Sequence, residues 1–443
     1  METAPHTQTI CAPITAVGGA VATVRLSGAR AWAIAAQIFS PWPNPVEPRR
    51  AIYGHFSHGD DGLALPFAAG ASYTGEESVE LSVHGSPKSI QAVLQACVQA
   101  GARQAEPGEF TLRAWMNGRM DLTQAEGVRA TVDAQSEVQL RQANALREGR
   151  LGQRIKSWRD ELTGVLAMVE ASTDFGEEVG ELDRPRARAR LAEVSEHMET
   201  LLASAAVGRR VQNGVRVALV GRPNAGKSSL LNALLREDRA IVTPIAGTTR
   251  DTLEESVEIH GFAVCLIDTA GLRESDDVVE QLGVQRTRQA IAQADFLWFV
   301  YDASTGWTEE DEEEWSQLVK SRSGSEIAAW IIANKVDLPS PAEVRGFPVS
   351  ATTGEGLAAM LKSFGEMLGE APATALPLER HVPLLQSAHE AVAATQETLT
   401  LPVPDDLAAV TLRAAIRILG EITGETTPPD VIERVFRDFC IGK

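Results

Sequence analysis

The spacing of apolar positions changes character along the chain, and each change predicts a different kind of element. Up to about residue 118 the apolar runs are short and broken by turn residues; Ala20 to Arg25 and Ser78 to Val83 read as strands, the second alternating in and out. From Asp121 to about Gly208 the texture turns to Ala, Leu, Glu, Gln and Arg, with Leu162, Val165, Leu166 and Val169 on one helical face. Apolar strands then alternate with helical segments, the pattern of a parallel sheet with crossover helices. After Pro377 the helical stripe returns as Leu412, Ala415, Ile416 and Leu419. The chain is therefore predicted to be multidomain: a mixed α+β N-terminal domain over 1–118, an all-α central domain assembled from 119–212 and 371–443, and an α/β domain over 213–370 inserted between its halves.

Composition narrows the class. A chain of 443 residues is too long for one hydrophobic core, and 44% hydrophobic with 23% charged residues is an ordinary globular balance. No run of about 18 apolar residues spans a bilayer, and Met1 to Ile10 has no basic segment ahead of an apolar stretch. Cys11, Cys97, Cys265 and Cys440 are too scattered for a disulfide framework or zinc cluster, so a soluble protein of the reducing cytoplasm, with no membrane partner, is expected. The net charge of −19 argues against nucleic-acid binding over the whole surface and leaves any RNA contact to a local basic patch or a partner. Two charge runs, Glu309 to Glu314 and the alternating Arg184, Arg186, Arg188 and Arg190, read as solvated surface, with an RNA patch as the lesser reading of the arginines.

The inserted domain carries the densest chemistry. The strand Val215 to Val220 runs into Gly221-Arg-Pro-Asn-Ala-Gly-Lys-Ser228, and Leu230, Leu231, Leu234 and Leu235 follow at helical spacing. G-x-x-x-x-G-K-S between a strand and a helix is a phosphate-binding loop: its backbone amides, from Asn224, Ala225 and Gly226 into Ser228 and Ser229, wrap the phosphates, Lys227 neutralises their charge, and the Ser228 hydroxyl suits Mg²⁺. A second strand delivers Asp268, Thr269, Ala270 and Gly271, an acid for the Mg²⁺ shell and an amide for the γ phosphate. A third ends in Asn334, Lys335, Val336 and Asp337, and Ser350, Ala351 and Thr352 follow the next short strand. The Asp carboxylate accepts two hydrogen bonds from the N1 and N2 edge of guanine, while the Ala351 amide donates to O6. Sites built on such bonds reject the wrong base by on the order of 10⁴-fold. Four such motifs in order, each at the carboxyl end of a predicted strand, predict a Ras-like G domain that binds guanine nucleotide.

Hydrolysis needs something unusual. Ras-like GTPases place a water-orienting glutamine after the Asp-x-x-Gly glycine, and here that position is Leu272. A monovalent cation can replace the charge an arginine finger supplies. Asn224 offers a neutral side-chain oxygen, and Thr243, Pro244, Ile245, Ala246, Gly247 and Thr248 offer backbone carbonyls, with Thr249 closing over Mg²⁺. The other reading of Asn224 is a hydrogen bond that rigidifies the loop.

Gly221 to Ser229, Thr243 to Asp251, Asp268 to Glu274, Pro107-Gly-Glu-Phe-Thr111, Asp121 to Glu126 and the closing Cys440-Ile-Gly-Lys443 resemble the MnmE (TrmE) family of tRNA-modification GTPases, and the similarity runs through the whole chain. The resemblance implies activation by K⁺, held by the Asn224 side chain and the carbonyls of Thr243, Ile245 and Thr248, and a homodimer whose G domains meet across their nucleotide faces. It makes Glu280 the base or water-positioning residue, although by itself Glu280 is one acid in a switch helix. It implies a complex with the flavoprotein MnmG that installs a 5-carboxymethylaminomethyl or aminomethyl group on the wobble uridine of certain tRNAs. The carbon comes from a tetrahydrofolate derivative, in 5-formyl or methylene form, bound by Arg25, Glu80, Arg119 and Lys443. The sequence departs from the family at Val17, Ala20 and Ala22, where glycines are common, at Glu106, and at Arg119, which stands for a lysine. Cys440 is implied to be a thiol needed for modification but not for GTP turnover; its alternatives are a small buried hydrophobe beside Phe436 and Phe439 and, weakly, a prenylation box. The main rival is a ribosome-assembly GTPase, which predicts an RNA-binding module and a basic face.

Overall fold

The structure is a computed structural model that describes residues 8–237, 254–268, 292–320, 328–341, 343–369, 375–437 and 439–442. The chain divides into two compact units, one of Met1–Arg129, Ala145–Met198 and Pro383–Lys443, the other of Ala130–Asn144 and Glu199–Val382.

The first unit opens with a seven-stranded sheet, β1 (Ile10–Pro13), β2 (Val21–Ser27), β3 (Phe39–Ser40), β4 (Ile52–Phe56), β5 (Asp61–Phe67), β6 (Ser78–His84) and β7 (Arg103–Gln104), in the order β3-β4-β5-β6-β2-β1-β7. All neighbours are antiparallel except β1 and β7. The alternation read in Ser78 to Val83 puts Val79, Leu81 and Val83 into the core with Ala22, Val24 and Leu26 of β2. Helices Ala31–Ile38 and Pro87–Gln99 supply Ile34, Ile90 and Val93 to the same core. The second of these starts cleanly, because Pro87 occupies its first turn and the Ser86 side chain accepts from the Ser89 amide.

The Pro107-Gly-Glu-Phe-Thr111 motif is a structural joint. Gly108 has φ 71, and a Cβ there would strike the Phe436 carbonyl and the Phe439 side chain, so only glycine lets the C-terminal segment lie this close. Glu109 is buried and accepts from Arg103 Nη2 at 2.6 Å and Arg113 Nη2 at 2.9 Å; Arg113, only 2% exposed, also reaches Glu76 at 3.1 Å. Burial opposes the Glu109 carboxylate, but Arg103, the Glu106 amide and Arg113 outweigh it and hold the carboxyl below the ordinary glutamate range. Its stabilisation is thus present above that range and lost as pH falls through the lowered value. Glu109→Ala takes from buried Arg113 the nearer of its two carboxylates, leaving Glu76, and is expected to destabilise the fold by about 2 kcal/mol, read as a lowered denaturation midpoint at neutral pH. The difference from the unaltered chain should shrink in acid, and an unchanged midpoint would mean the pair contributes nothing.

The rest of this unit is helical. Helix Arg150–Asp174 packs along helix Asp406–Thr423, and the predicted stripes meet: Leu162, Val165 and Val169 are buried on one, Leu412, Ala415 and Leu419 on the other, with Leu166 and Ile416 at the seam's half-exposed edge. Segments that precede and follow the inserted domain in the sequence therefore pack on each other. Of the arginine run, Arg184 bridges Asp405 and Arg190 bridges Glu161, while Arg186 and Arg188 are exposed.

The second unit holds a six-stranded sheet of β8 (Val215–Val220), β9 (Glu254–Ile259), β10 (Phe262–Asp268), β11 (Phe296–Asp302), β12 (Ala328–Asn334) and β13 (Phe347–Pro348), in the order β13-β12-β11-β8-β10-β9. Every pairing is parallel except β10 with β9. This is the Ras-like arrangement, and strand order reverses at β8, where open α/β sheets bind ligands at the carboxyl ends of their strands. The acidic run differs in detail from a merely solvated surface. It begins helix Glu309–Lys320, where Asp311 is buried and accepts from the Thr308 amide and hydroxyl, and Glu309, Glu310 and Glu312 lie in the first turn at the positive end of the helix dipole. All four cysteines are free, and among the described residues no helix is long and apolar enough to cross a membrane.

Candidate active site

The phosphate loop leaves β8 and enters helix Lys227–Glu237 as the sequence predicts. Lys227 is buried, and its ammonium donates to the carbonyls of Gly221 at 2.6 Å and Arg222 at 2.8 Å, so the charge lies within the loop's own curve. Gly226 has φ 92, and a Cβ there would collide with the Asn334 amide, which ties this glycine to the base-side motif. The Ser228 hydroxyl donates to Asp268 Oδ2 at 2.6 Å. A hydroxyl and a carboxylate oxygen side by side at the end of β10 are the hard donors Mg²⁺ takes, and this pair fits the ion.

The base-side motifs form one hydrogen-bonded unit. Asn334 Nδ2 donates to the Ala225 carbonyl at 3.0 Å, and its Oδ1 accepts from the Ala351 amide at 3.0 Å, so this side chain bolts the phosphate loop to the Ser350 loop. Lys335, at φ 66, donates to the Asn224 carbonyl at 2.8 Å. The Ser350 hydroxyl donates to Asp337 Oδ1 at 2.6 Å and accepts from the amides of Thr352 and Thr353, which fixes the Asp337 carboxylate. A cleft of about 400 Å³ has Ser229, Arg236, Ala351 and Thr352 in its wall.

Asp302 is a residue the motif reading missed. It sits opposite Asn334 in the parallel register of β11 and β12, and its Oδ2 accepts from Lys335 Nζ at 2.6 Å. Burial works against its charge, yet Lys335 and the donors of Ser304 prevail and keep its carboxyl below the ordinary range. The available signal was an acid at the carboxyl end of a central strand, which points into the ligand edge of such a sheet.

Asn224 is exposed with φ 65, and among the described residues its side chain makes no hydrogen bond. Its carbonyl accepts from Lys335, and among the described residues its carboxamide does not brace the loop. Thr243, Pro244, Ile245, Ala246, Gly247, Thr248, Thr249, Thr269, Ala270, Gly271, Leu272, Glu280 and Lys443 lie outside the described residues.

In the N-terminal domain Arg25 and Glu80 are cross-strand partners on β2 and β6, joined by Arg25 Nη2 to Glu80 Oε1 at 2.8 Å. The two residues expected to bind a folate thus also bind each other. Arg25 Nη1 and Glu80 Oε2 make no hydrogen bond among the described residues, and the guanidinium lies 4.7 Å over the Tyr73 ring. A flat heterocycle with both donors and acceptors fits such an edge. Arg119 is exposed and donates to the Gly70 carbonyl at 3.0 Å. Cys440 is exposed while Phe436 and Phe439 are buried, so it is not the buried hydrophobe considered above; its carbonyl accepts from the Gly108 amide at 3.4 Å.

The Ras-like sheet, the phosphate loop at its reversal point and the guanine-type motif bolted to that loop define a P-loop GTPase carrying an α+β domain and a helical domain outside the G fold. The family model described as MnmE helical domain matches residues 122–440, and that described as GTP-binding protein TrmE N-terminus matches residues 9–119. The tRNA modification GTPase MnmE of Synechococcus sp. (strain JA-3-3Ab) is 42% identical over 460 residues, covering 100% of this chain and 99% of the relative. That of Acaryochloris marina is 40% identical, with 98% and 99% covered. Among solved structures, a point variant of Aquifex aeolicus Era bound to GDP.AlF4- is 30% identical over 40% of this chain and 66% of that one, with a TM-score of 0.28. The chain belongs to the MnmE family of tRNA modification GTPases.

Proposed function

We propose that the chain hydrolyses GTP in a K⁺-dependent cycle and, with an MnmG-like FAD protein, forms the 5-carboxymethylaminomethyl or aminomethyl group on the wobble uridine of certain tRNAs. Family membership over the full length supports this, and the observation that carries the GTPase half is the Asn334 bridge between the Ala225 carbonyl and the Ala351 amide. It makes base recognition and phosphate binding one rigid element.

In this reading Asp337 accepts from the guanine edge, with Ser350 holding its orientation, and the Ala351 amide donates to the base. Lys227 leaves the loop carbonyls for the phosphates and balances their charge. Ser228 and Asp268 hold Mg²⁺ with Thr249; bound there, the ion neutralises charge on the phosphate oxygens. Asn224 contributes its side-chain oxygen, with the carbonyls of Thr243, Ile245 and Thr248, to K⁺, and Glu280 orients the attacking water. Residues 213–370 act as the G domain, residues 119–212 with 371–443 as the helical relay, and residues 1–118 as the dimerising domain that binds reduced folate through Arg25, Glu80, Arg119 and Lys443. Cys440, exposed at the end of the helical domain, serves the modification and not GTP turnover. The protein works as a cytoplasmic homodimer on tRNA.

Nucleoside analysis of tRNA from a strain lacking this protein is expected to show the wobble-uridine modification missing and the unmodified or partly modified uridine in its place. Unchanged nucleosides together with a ribosome-assembly defect would favour the rival reading.

A further inference from the structure

The loop from Ala68 to Glu76 is ringed by arginines whose charges the fold does not use. Arg49 holds a left-handed backbone, φ 63, which is uncommon for a residue other than glycine. Its amide donates to the Pro66 carbonyl at 2.7 Å and its Nη2 to the Ala71 carbonyl at 3.1 Å. Arg119 donates to the adjacent Gly70 carbonyl at 3.0 Å. Arg25 lies over Tyr73 of the same loop, and the Tyr73 hydroxyl also feels the charge of Arg147. The loop's acids are turned elsewhere: Glu76 accepts from Arg113 and Ser27, and Glu77 accepts from the Trp32 amide.

Arg49, Arg119 and Arg147 are exposed and form no ion pair among the described residues. Each guanidinium has five donors, and the first two spend one each on a carbonyl. On a chain of net charge −19, unpaired cations on one loop, which also carries the Tyr73 ring under Arg25, offer charge and free donors to an anion bound beside the Arg25 and Glu80 edge. The planar fork matches carboxylates better than an ammonium does.

We propose that Arg49, Arg119 and Arg147 bind the γ-linked glutamate tail of the reduced folate whose ring end is assigned to Arg25 and Glu80, so that the protein selects the polyglutamate form. This rests on the folate assignment above. Each added glutamate brings one α-carboxylate, and Arg49, Arg119 and Arg147 each have donors left for one, whereas the ring edge alone has no use for the extra charges.

The test is calorimetric titration of the full chain with the monoglutamate and triglutamate forms of 5-formyltetrahydrofolate. The triglutamate is expected to bind about tenfold tighter at low ionic strength, since it brings two further carboxylates to exposed guanidinia, and the advantage should shrink as salt is raised. Arg49→Asn, which tolerates the left-handed backbone, and Arg147→Gln should each bring the ratio of the two affinities toward one. Equal affinity of the unaltered chain for both forms overturns the tail site and leaves the ring assignment standing; it is also the outcome expected if the cradle instead takes an RNA backbone. No binding of either form overturns both assignments, and a ratio that survives in both variants removes the arginines from the tail site.

Discussion

Asp337→Asn is expected to lower affinity for GTP by about 10⁴-fold and to create affinity for xanthosine triphosphate. The reason lies in how the side chain is held. Asp337 Oδ1 already accepts from the Ser350 hydroxyl at 2.6 Å, and that hydroxyl is itself fixed by the Thr352 and Thr353 amides. An asparagine would keep its carbonyl oxygen on Ser350 and turn its amide nitrogen toward the base. Guanine presents two N–H donors there, so donor would face donor and both would be buried without a partner. Xanthine has a carbonyl at the position of the guanine amino group, and the new amide can donate to it. Titration of the variant with GTP and with the xanthine nucleotide checks this, and undiminished GTP affinity would remove Asp337 from the base site. Loss of both nucleotides with a lowered melting temperature would instead mean that Asp337 braces the Ser350 loop.

The sequence made the G domain legible because its chemistry is local. A strand, a glycine turn and a helix start occupy consecutive positions, so Gly221 to Ser228 needs no tertiary information to be read. The same holds for the paired stripes of the helical domain, where Leu162 and Leu412 announce a buried face at helical spacing. What stayed hidden depends on contacts between distant segments. Asp302 acquires its part only because β11 and β12 lie in parallel register, which places it on Lys335. Asn334 stands in the sequence only as part of the guanine motif, while its side chain spends both ends on Ala225 and Ala351. Arg25 and Glu80 were legible as charges on strands, but their pairing follows from the β2 and β6 register, which periodicity alone does not set. Arg49 carried no signal at all, since its left-handed backbone and its reach to Ala71 exist only in the folded domain.

GTP turnover is expected to be about 10³-fold faster in K⁺ than in Na⁺ at equal ionic strength, the lower end of what an arginine finger supplies, and Asn224→Ala should erase the difference. Leu272 stands where a water-orienting glutamine is usual and has no polar atom to offer, so the charge that develops between the β and γ phosphates needs another source. The structure leaves the Asn224 carboxamide exposed and without a hydrogen bond among the described residues, while the backbone of the same residue is anchored by Lys335 at 2.8 Å. A cation taken there would find its ligand positioned in advance, and no protein bond among the described residues would be broken when the ion binds. Because only the side-chain oxygen is removed, Asn224→Ala should keep nucleotide affinity within a few-fold, with the Lys227 and Asn334 contacts intact. The K⁺ rate then falls to the Na⁺ rate, a kcat effect with little change in KM. Equal rates of the unaltered protein in the two salts would exclude the cation, and a K⁺ advantage surviving in the variant would place the ion on other ligands.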